Sequence, residues 1–251
     1  MNFEFKGQTA LVTGASQGIG RAIARGLAAQ GVRVAVAARR RPLLDQLMDE
    51  IAHSADVRPV VIEADLYPEH ASEALAAKAE AALGRVDILI NAAGGSRPIP
   101  FDAGQDAWME GMVLNFFRLR ELTHAVIPGM RQRRWGRVVN LTGTSEPRII
   151  NAAFAAKAAV HAWAKGLSRE VAKDNVTINS IQPGRIRSEQ IKKRYPTPES
   201  ELEFAKEEIP MLRFGEPEEL ANLAIFLASP LASYITGTVI PVDGGMYRFA
   251  F

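Results

Sequence analysis

Two hydrophobic patterns alternate along the chain. Short apolar runs, rich in Val, Ile and Leu, occupy residues 9–13, 32–37, 58–63, 86–91, 137–141, 176–181 and 238–242, and they predict strands. Between them, residues 18–29, 42–52, 69–83, 106–132, 151–172 and 217–228 carry a helical pattern. Strands separated by crossover helices specify a parallel sheet covered on both faces. With right-handed connections this is a doubly wound α/β fold. No linker rich in Gly, Ser or Pro divides the alternation and no internal repeat is present, so a single α/β domain over residues 1–251 is expected. Residues 185–214 break the rhythm with Arg185-Ile186-Arg187-Ser188 and a charged stretch through Glu208. An insertion after the carboxyl end of a strand sits where open α/β sheets bind ligands, so it is read as a lid over a substrate. A solvated helical excursion is the alternative.

The stretch that organises the chain follows the first strand: Thr13-Gly14-Ala15-Ser16-Gln17-Gly18-Ile19-Gly20, opening the helix that begins Arg21-Ala22-Ile23. A glycine loop between a buried strand and a helix lets the backbone approach a pyrophosphate, and the helix N-terminus offers free N–H groups and a positive dipole end. The spacing, Gly14-x3-Gly18-x-Gly20, differs from the Gly-x-Gly-x-x-Gly of many dinucleotide sites, but the strand–loop–helix context is the one such a site requires. The second strand ends in Ala38-Arg39-Arg40-Arg41. An NAD site places an acid here for the ribose 2′-hydroxyl, whereas arginine accommodates a 2′-phosphate. Ala38 removes the acid, and Arg39 and Arg40 supply permanently charged planar donors, so NADP(H) is expected over NAD(H). Asp65, before Leu66, is read as a partner for the adenine amino group or as a cap of the next helix.

Composition narrows the setting. Lysine plus arginine total 30 against 28 acids, a net charge of +2 that gives no reason to expect nucleic acid or an anionic membrane as partner. The absence of Cys excludes disulfides, thiolate metal sites and a cysteine nucleophile, and fits a reducing cytosol. With the first strand starting close to Met1, no signal peptide is expected, and no apolar run reaches the roughly 18 residues a membrane span needs. A cytoplasmic protein without a metal, acting on a small molecule, is the expectation.

The motifs together resemble the classical short-chain dehydrogenase/reductase family over essentially the whole chain. The resemblance is carried by Thr13 to Gly20, Asp65-Leu66, Asn91-Ala92-Ala93-Gly94, Asn115, Lys157, Pro183-Gly184 and the tail from Gly237 to Gly245. Arg213-Phe214-Gly215-Glu216-Pro217 and Val242-Asp243-Gly244-Gly245 look like the subgroup of 3-oxoacyl-carrier-protein reductases. The resemblance implies a seven-stranded Rossmann sheet, with Gly14, Ser16, Gln17, Gly18, Ile19 and Gly20 along the pyrophosphate and ribose. It puts the turn of Asn91, Ala92 and Gly94 beside the cofactor, where the family's second asparagine is Ala92 here. Pro183, Gly184, Ile186 and Ser188 would lie at the nicotinamide end, with Ser188 where the family more often has Thr. A homodimer or homotetramer paired through the long helices is implied in the same way.

The family's catalytic set is Asn, Ser, Tyr and Lys, the Tyr four residues before the Lys. Asn115 and Lys157 match. In Asn151-Ala152-Ala153-Phe154-Ala155-Ala156-Lys157 the tyrosine position is Ala153, and sliding the register to Phe154 puts Ala158 at the lysine position without restoring a hydroxyl. The serine position is Gly143, with Thr142, Thr144 and Ser145 as neighbours that could stand in. Loss of a positioned general acid costs about 10²–10⁴-fold in rate, so hydride transfer is impaired but not abolished. Lys157 as a direct acid, His161 one turn further along the helix, Tyr195 on the lid and Glu146 beside the floor are candidate substitutes. Their ordinary alternatives are ribose binding, packing, surface and turn roles. Trp108, Trp135, Trp163 and the Phe116–Phe117 pair are read as core or subunit-contact residues. Three functions stand at this point: an atypical NADP(H)-dependent oxidoreductase, a dinucleotide-binding sensor or pseudoenzyme without turnover, and a non-redox lyase or isomerase on the same scaffold.

Overall fold

The structure is a computed structural model that describes residues 3–249 except 6, 56–57 and 145. Its sheet contains β1 (Thr9–Thr13), β2 (Arg33–Ala38), β3 (Val60–Glu63), β4 (Ile88–Asn91), β5 (Gly136–Leu141), β6 (Val176–Pro183) and β7 (Val239–Val242). All pairings are parallel, in the order β3-β2-β1-β4-β5-β6-β7. Every residue of β1, β4 and β5 is buried, which is why these strands read as apolar-rich runs, with only scattered polar residues such as Arg137 and Asn140, rather than as clean alternation. Chain order reverses between β1 and β4. The loops at the carboxyl ends of these two strands therefore diverge and leave a crevice between them.

The helices are α1 (Gly18–Ala29), α2 (Arg41–Ser54), α3 (Ala71–Leu83), α4 (Gln105–Met112), α5 (Arg118–Arg133), α6 (Ala152–Val171), α7 (Glu189–Arg194), α8 (Pro198–Glu208) and α9 (Pro217–Ala228). One face of the sheet is covered by α1, α2 and α9, packed through Ile23, Leu27, Leu44, Leu220 and Leu227. On that face Gly26 of α1 lies against Ile225 of α9, where a Cβ would overlap the isoleucine side chain. The other face is covered by α3, α5 and α6 through Leu75, Leu122, Val126, Ala164 and Val171. None of the described helices is long and apolar enough to cross a membrane.

The helical stretch expected over 106–132 is not one α-helix. It is α4, a π-helical turn at Val113–Phe117 and then α5. The interruption has a visible partner: the buried Asn115 donates from Nδ2 to the Gly111 carbonyl at 2.9 Å. A side-chain donor there satisfies a carbonyl that the widened turn leaves to be paired. The 185–214 segment is also more ordered than a loop. Pro198 at the start of α8 and the reciprocal Thr197/Ser200 capping box fix one of its helices.

Candidate active site

The crevice is assembled from the end of β1. The Thr13 hydroxyl donates to the Ile90 carbonyl at 3.2 Å and accepts from the N–H groups of Ala92 and Ala93, each at 3.1 Å. This ties the exits of β1 and β4 together and brings the Ala92 carbonyl over Gly14. A Cβ on Gly14 would lie 2.7 Å from that oxygen, and φ is +65°, so both space and backbone conformation require glycine. A Cβ on Gly20 would overlap the Gly14 carbonyl. What remains is a backbone-walled cradle at the start of α1. The Gln17 side chain makes no capping hydrogen bond to the backbone of that helix, and no acid lies in its first turn. The first N–H groups and the positive end of α1 are therefore left for an anion.

A cavity of about 560 Å³ runs from this cradle along the carboxyl ends of the strands. Every expected cofactor residue lines it except Asn91. The Asn91 amide lies inside the sheet, donating to Thr123 Oγ1 at 3.0 Å and Asn140 Oδ1 at 2.9 Å, so its side chain serves packing between β4 and β5. Asp65 lines the cavity with Leu66, and its carboxylate accepts from the Tyr67 N–H at 3.0 Å. It closes a local turn rather than capping α3, which begins after His70. Arg39 and Arg40 differ in their engagement. Arg39 is exposed on the cavity edge, and no hydrogen bond or ion pair of its side chain occurs among the described residues. Arg40 pairs with Glu189 at 3.1 Å and also donates to the Gln17 side chain.

The floor is formed by β5, α6 and the loop between them. Lys157 lines the cavity and donates from Nζ to the Thr142 carbonyl at 3.1 Å. Burial lowers its pKa to about 8. The side chain passes directly under Gly143: a Cβ there would lie 3.2 Å from Lys157 Cδ. Gly143, where the resemblance leads one to expect a serine, therefore leaves little room for a side chain beside the lysine shaft. Ala153, the expected tyrosine position, is buried and lines the cavity beside Phe154.

Thr142 is the point on which this floor converges. Its hydroxyl donates to the Ile181 carbonyl at 3.0 Å and lies 2.8 Å from His161 Nε2. The hydroxyl carries one proton, already given to Ile181, so the imidazole must donate from Nε2. Burial and then the neighbouring Lys157 charge lower the His161 pKa, favouring the neutral imidazole. Sequence spacing placed His161 on the Lys157 face but gave no sign that it reaches Thr142.

The remaining candidates are distributed unevenly. Thr144 lines the cavity, with its hydroxyl accepting from the Glu146 N–H at 3.0 Å. Ser145 lies outside the described residues. Asn115 sits behind the cavity wall: its Oδ1 accepts from the Gly95 N–H at 3.0 Å, so its side chain is fully engaged with backbone. Glu146 accepts from the Arg248 N–H at 2.9 Å. Tyr195 packs its ring against Phe204 and Phe214. Neither Glu146 nor Tyr195 lines the cavity. Among the described residues no cluster of three or more His, Cys, Asp or Glu could hold a metal ion. Arg185, which follows Gly184 directly and carries no motif signal of its own, also lines the cavity.

Comparison with known proteins points in one direction. A family model described as enoyl-(acyl-carrier-protein) reductase matches residues 14–247. The 3-oxoacyl-[acyl-carrier-protein] reductase FabG of Aquifex aeolicus is 35% identical over 259 residues, covering 98% of this chain and 100% of the relative. The 7alpha-hydroxysteroid dehydrogenase of Escherichia coli K12 is 33% identical, covering 97% and 96%. Among solved structures, L-sorbose reductase from Gluconobacter frateurii, complexed with NADPH and L-sorbose, superposes with a TM-score of 0.92 at 29% identity, covering 99% of this chain and all (100%) of the other. A 7α-hydroxysteroid dehydrogenase complexed with NADH and 7-oxo glycochenodeoxycholic acid gives a TM-score of 0.91 at 32% identity, covering 100% of this chain and 98% of the other.

Proposed function

The chain belongs to the short-chain dehydrogenase/reductase family, close to its 3-oxoacyl-acyl-carrier-protein reductases, and we propose that it is an NADP(H)-dependent oxidoreductase of a small carbonyl or hydroxyl compound whose proton route uses no tyrosine. The observation that carries the proposal is the continuity of one cavity from the glycine cradle, past Arg39, to the Lys157 ammonium.

The residues present fit a dinucleotide. The Gly14–Gly20 cradle leaves the space and the free N–H groups that a pyrophosphate needs. Arg39 stands at the edge with its donors uncommitted, which supports a 2′-phosphate; similar structures hold NADPH in one case and NADH in another, so the preference rests on this chain's own arginine. Asp65 and Leu66 would flank the adenine, and Ile186 and Ser188 the nicotinamide end. Ser188 also opens α7 directly above the cradle, its Cβ 3.5 Å from where a Gly18 Cβ would be. The Arg40–Glu189 pair joins α7 to the cofactor edge. These contacts support residues 185–214 as the substrate lid.

When bound, NADP(H) would supply or accept the hydride. The chain itself must hold a proton where the substrate oxygen gains or loses one. Lys157 is placed to do so: Thr142 fixes its Nζ, His161 fixes Thr142, and burial brings its pKa into the range where either protonation state is accessible. Asn115 acts as a positioning residue by holding the turn that carries Gly94 and Gly95. A groove between α5 and α6, lined by His124, Ile127, Pro128, Arg131, Leu167, Glu170 and Val171, is the face we assign to pairing with a second copy.

Calorimetric titration with NADPH and NADH, followed by turnover of a carbonyl and alcohol panel, tests this reading. Tighter NADPH binding with measurable turnover is expected. Tight NADPH binding with no turnover on any panel member would instead favour a dinucleotide-binding protein, the reading that Ala153 and Gly143 support.

A further inference from the structure

The lid and its surroundings are rich in arginine, and most of that charge is matched. Arg187 pairs with Glu201 and Glu216, Arg213 with Glu219, Arg148 and Arg248 with Glu208, and Arg40 with Glu189. Arg185 is different. No carboxylate lies within ion-pair distance of it among the described residues, although it lines the same cavity as Lys157. Its Nε is buried without a hydrogen-bond partner. Its guanidinium lies 4.9 Å from the centre of the Phe204 ring on α8, so the cation is held against the lid by a face-on aromatic contact. The backbone beneath it is fixed as well: Gly215 donates to the Arg185 carbonyl at 2.9 Å, and Arg187 donates to the Gly215 carbonyl at 2.9 Å.

A guanidinium remains charged in a protein, and a part-buried charge without a counter-charge is costly. Here the cost is raised by burial and by the like charges of Arg194 and Arg148, and is offset in part by the Tyr195 side chain. The cofactor's 2′-phosphate is not positioned to supply the missing anion: it would lie at Arg39, beyond β2, whereas Arg185 follows β6. Four inter-strand steps separate β2 from β6, roughly 19 Å at about 4.8 Å per step.

We propose that Arg185 anchors a carboxylate on the substrate, so that the compound oxidised or reduced at this site is a small keto or hydroxy acid rather than a neutral carbonyl or alcohol. A guanidinium that lines the cavity and pairs with no carboxylate of the described residues suits recognition of a substrate carboxylate through its terminal N–H groups. The aromatic contact with Phe204 would transmit occupancy of the anchor to α8. This inference rests on the oxidoreductase reading for its chemistry, but the anion site itself can be tested apart from turnover.

The test compares acetoacetate, 2-oxobutanoate and 4-oxopentanoate with their methyl esters, using NADPH and the full-length protein. Each carboxylate should exceed its ester in kcat/KM by about 10–100-fold, the range expected for hydrogen bonds to a charged group. In Arg185→Met, which keeps an aliphatic side chain over Phe204, that ratio should fall toward one through KM, and Arg185→Lys should restore part of it. NADPH affinity should move less than about twofold in Arg185→Met; a loss comparable to the carboxylate loss would overturn the inference by assigning Arg185 to the cofactor. Equal use of acids and esters by the parent would overturn it too. The same acids are titrated calorimetrically into the protein with and without NADP⁺. If turnover is absent, carboxylate binding that disappears in Arg185→Met upholds the anchor while the oxidoreductase reading fails. No carboxylate binding in either form overturns the anchor and leaves the cofactor reading untouched.

Discussion

The two ends of the cavity are built by different means. At the cofactor end the determining groups are backbone: a glycine cradle, a threonine hydroxyl saturated by three main-chain partners, and the open start of α1. At the chemistry end they are side chains, and there the resemblance leads one to expect a serine and a tyrosine where the chain has Gly143 and Ala153. Backbone geometry tolerates little change, because a single Cβ fills the cradle. Side-chain chemistry can be reassigned by one substitution. On the proposed reading, the contrast accounts for a chain that keeps the architecture of an oxidoreductase while its proton route is rebuilt. It also sets what experiments should find: variants at the first end should act on binding, and variants at the second on turnover.

The largest expected effect is at Lys157. If its ammonium delivers the proton, Lys157→Met should lower kcat by about 10²–10⁴-fold, measured beside a separate NADPH titration. The pH profile gives the sign. Burial depresses the lysine to about 8, so the proton is present below that pH and lost above it. Carbonyl reduction should be flat below about pH 8 and fall as pH rises through it, while alcohol oxidation, which needs the neutral amine, should rise over the same range. Both breaks should vanish in Lys157→Met. A variant that retains the break would place the titrating group elsewhere.

Changes at the other end should leave that break in place. Gly20→Ala puts a methyl group onto the Gly14 carbonyl. It should weaken NADPH and NADH alike by about 10²-fold, since a displacement near 1 Å in a positioning element costs that much. A lowered Tm is expected as well, reflecting about 1–3 kcal/mol of overpacking strain. Arg39→Ala should be more selective. Its free guanidinium is assigned to the 2′-phosphate, so NADPH binding should weaken about 10–100-fold while NADH stays within about twofold. Equal loss of the two cofactors would make Arg39 a general electrostatic contributor.

How much of this was readable beforehand follows the same division. The spans of β1, α1 and α9 coincide with the expected ones, because buried parallel strands give continuous apolar runs and glycine and proline mark the helix starts. The cradle was legible for the same reason: its constraint is the absence of side chains, which a sequence displays directly. The π-helical turn was not legible. Apolar spacing does not distinguish a widened turn from an α-helical one, and the determinant is one amide, Asn115, reaching Gly111. Arg40 and Arg39 are neighbours of one type in sequence, yet only the fold brings Glu189 at the start of α7 to Arg40. Asn91 looked like a cofactor residue by motif, but the strand's alternation turns its amide toward Thr123 and Asn140.

His161 provides the smallest expected effect and the closest test of the chemistry end. Its Nε2–H bond to Thr142 holds the residue whose carbonyl fixes Lys157. In His161→Phe a neutral hydrogen bond is lost, worth about 0.5–1.5 kcal/mol, so kcat should fall less than about tenfold. The break near pH 8 should remain, because a neutral imidazole contributes no charge to the lysine's titration. His161→Gln, which can still donate to Thr142 Oγ1, should recover part of the loss. If His161 were itself the acid, the change to Phe would instead cost 10²-fold or more and abolish the profile, with no recovery in Gln. A small loss with an intact profile therefore locates the proton on the lysine and limits the histidine to holding Thr142 in place.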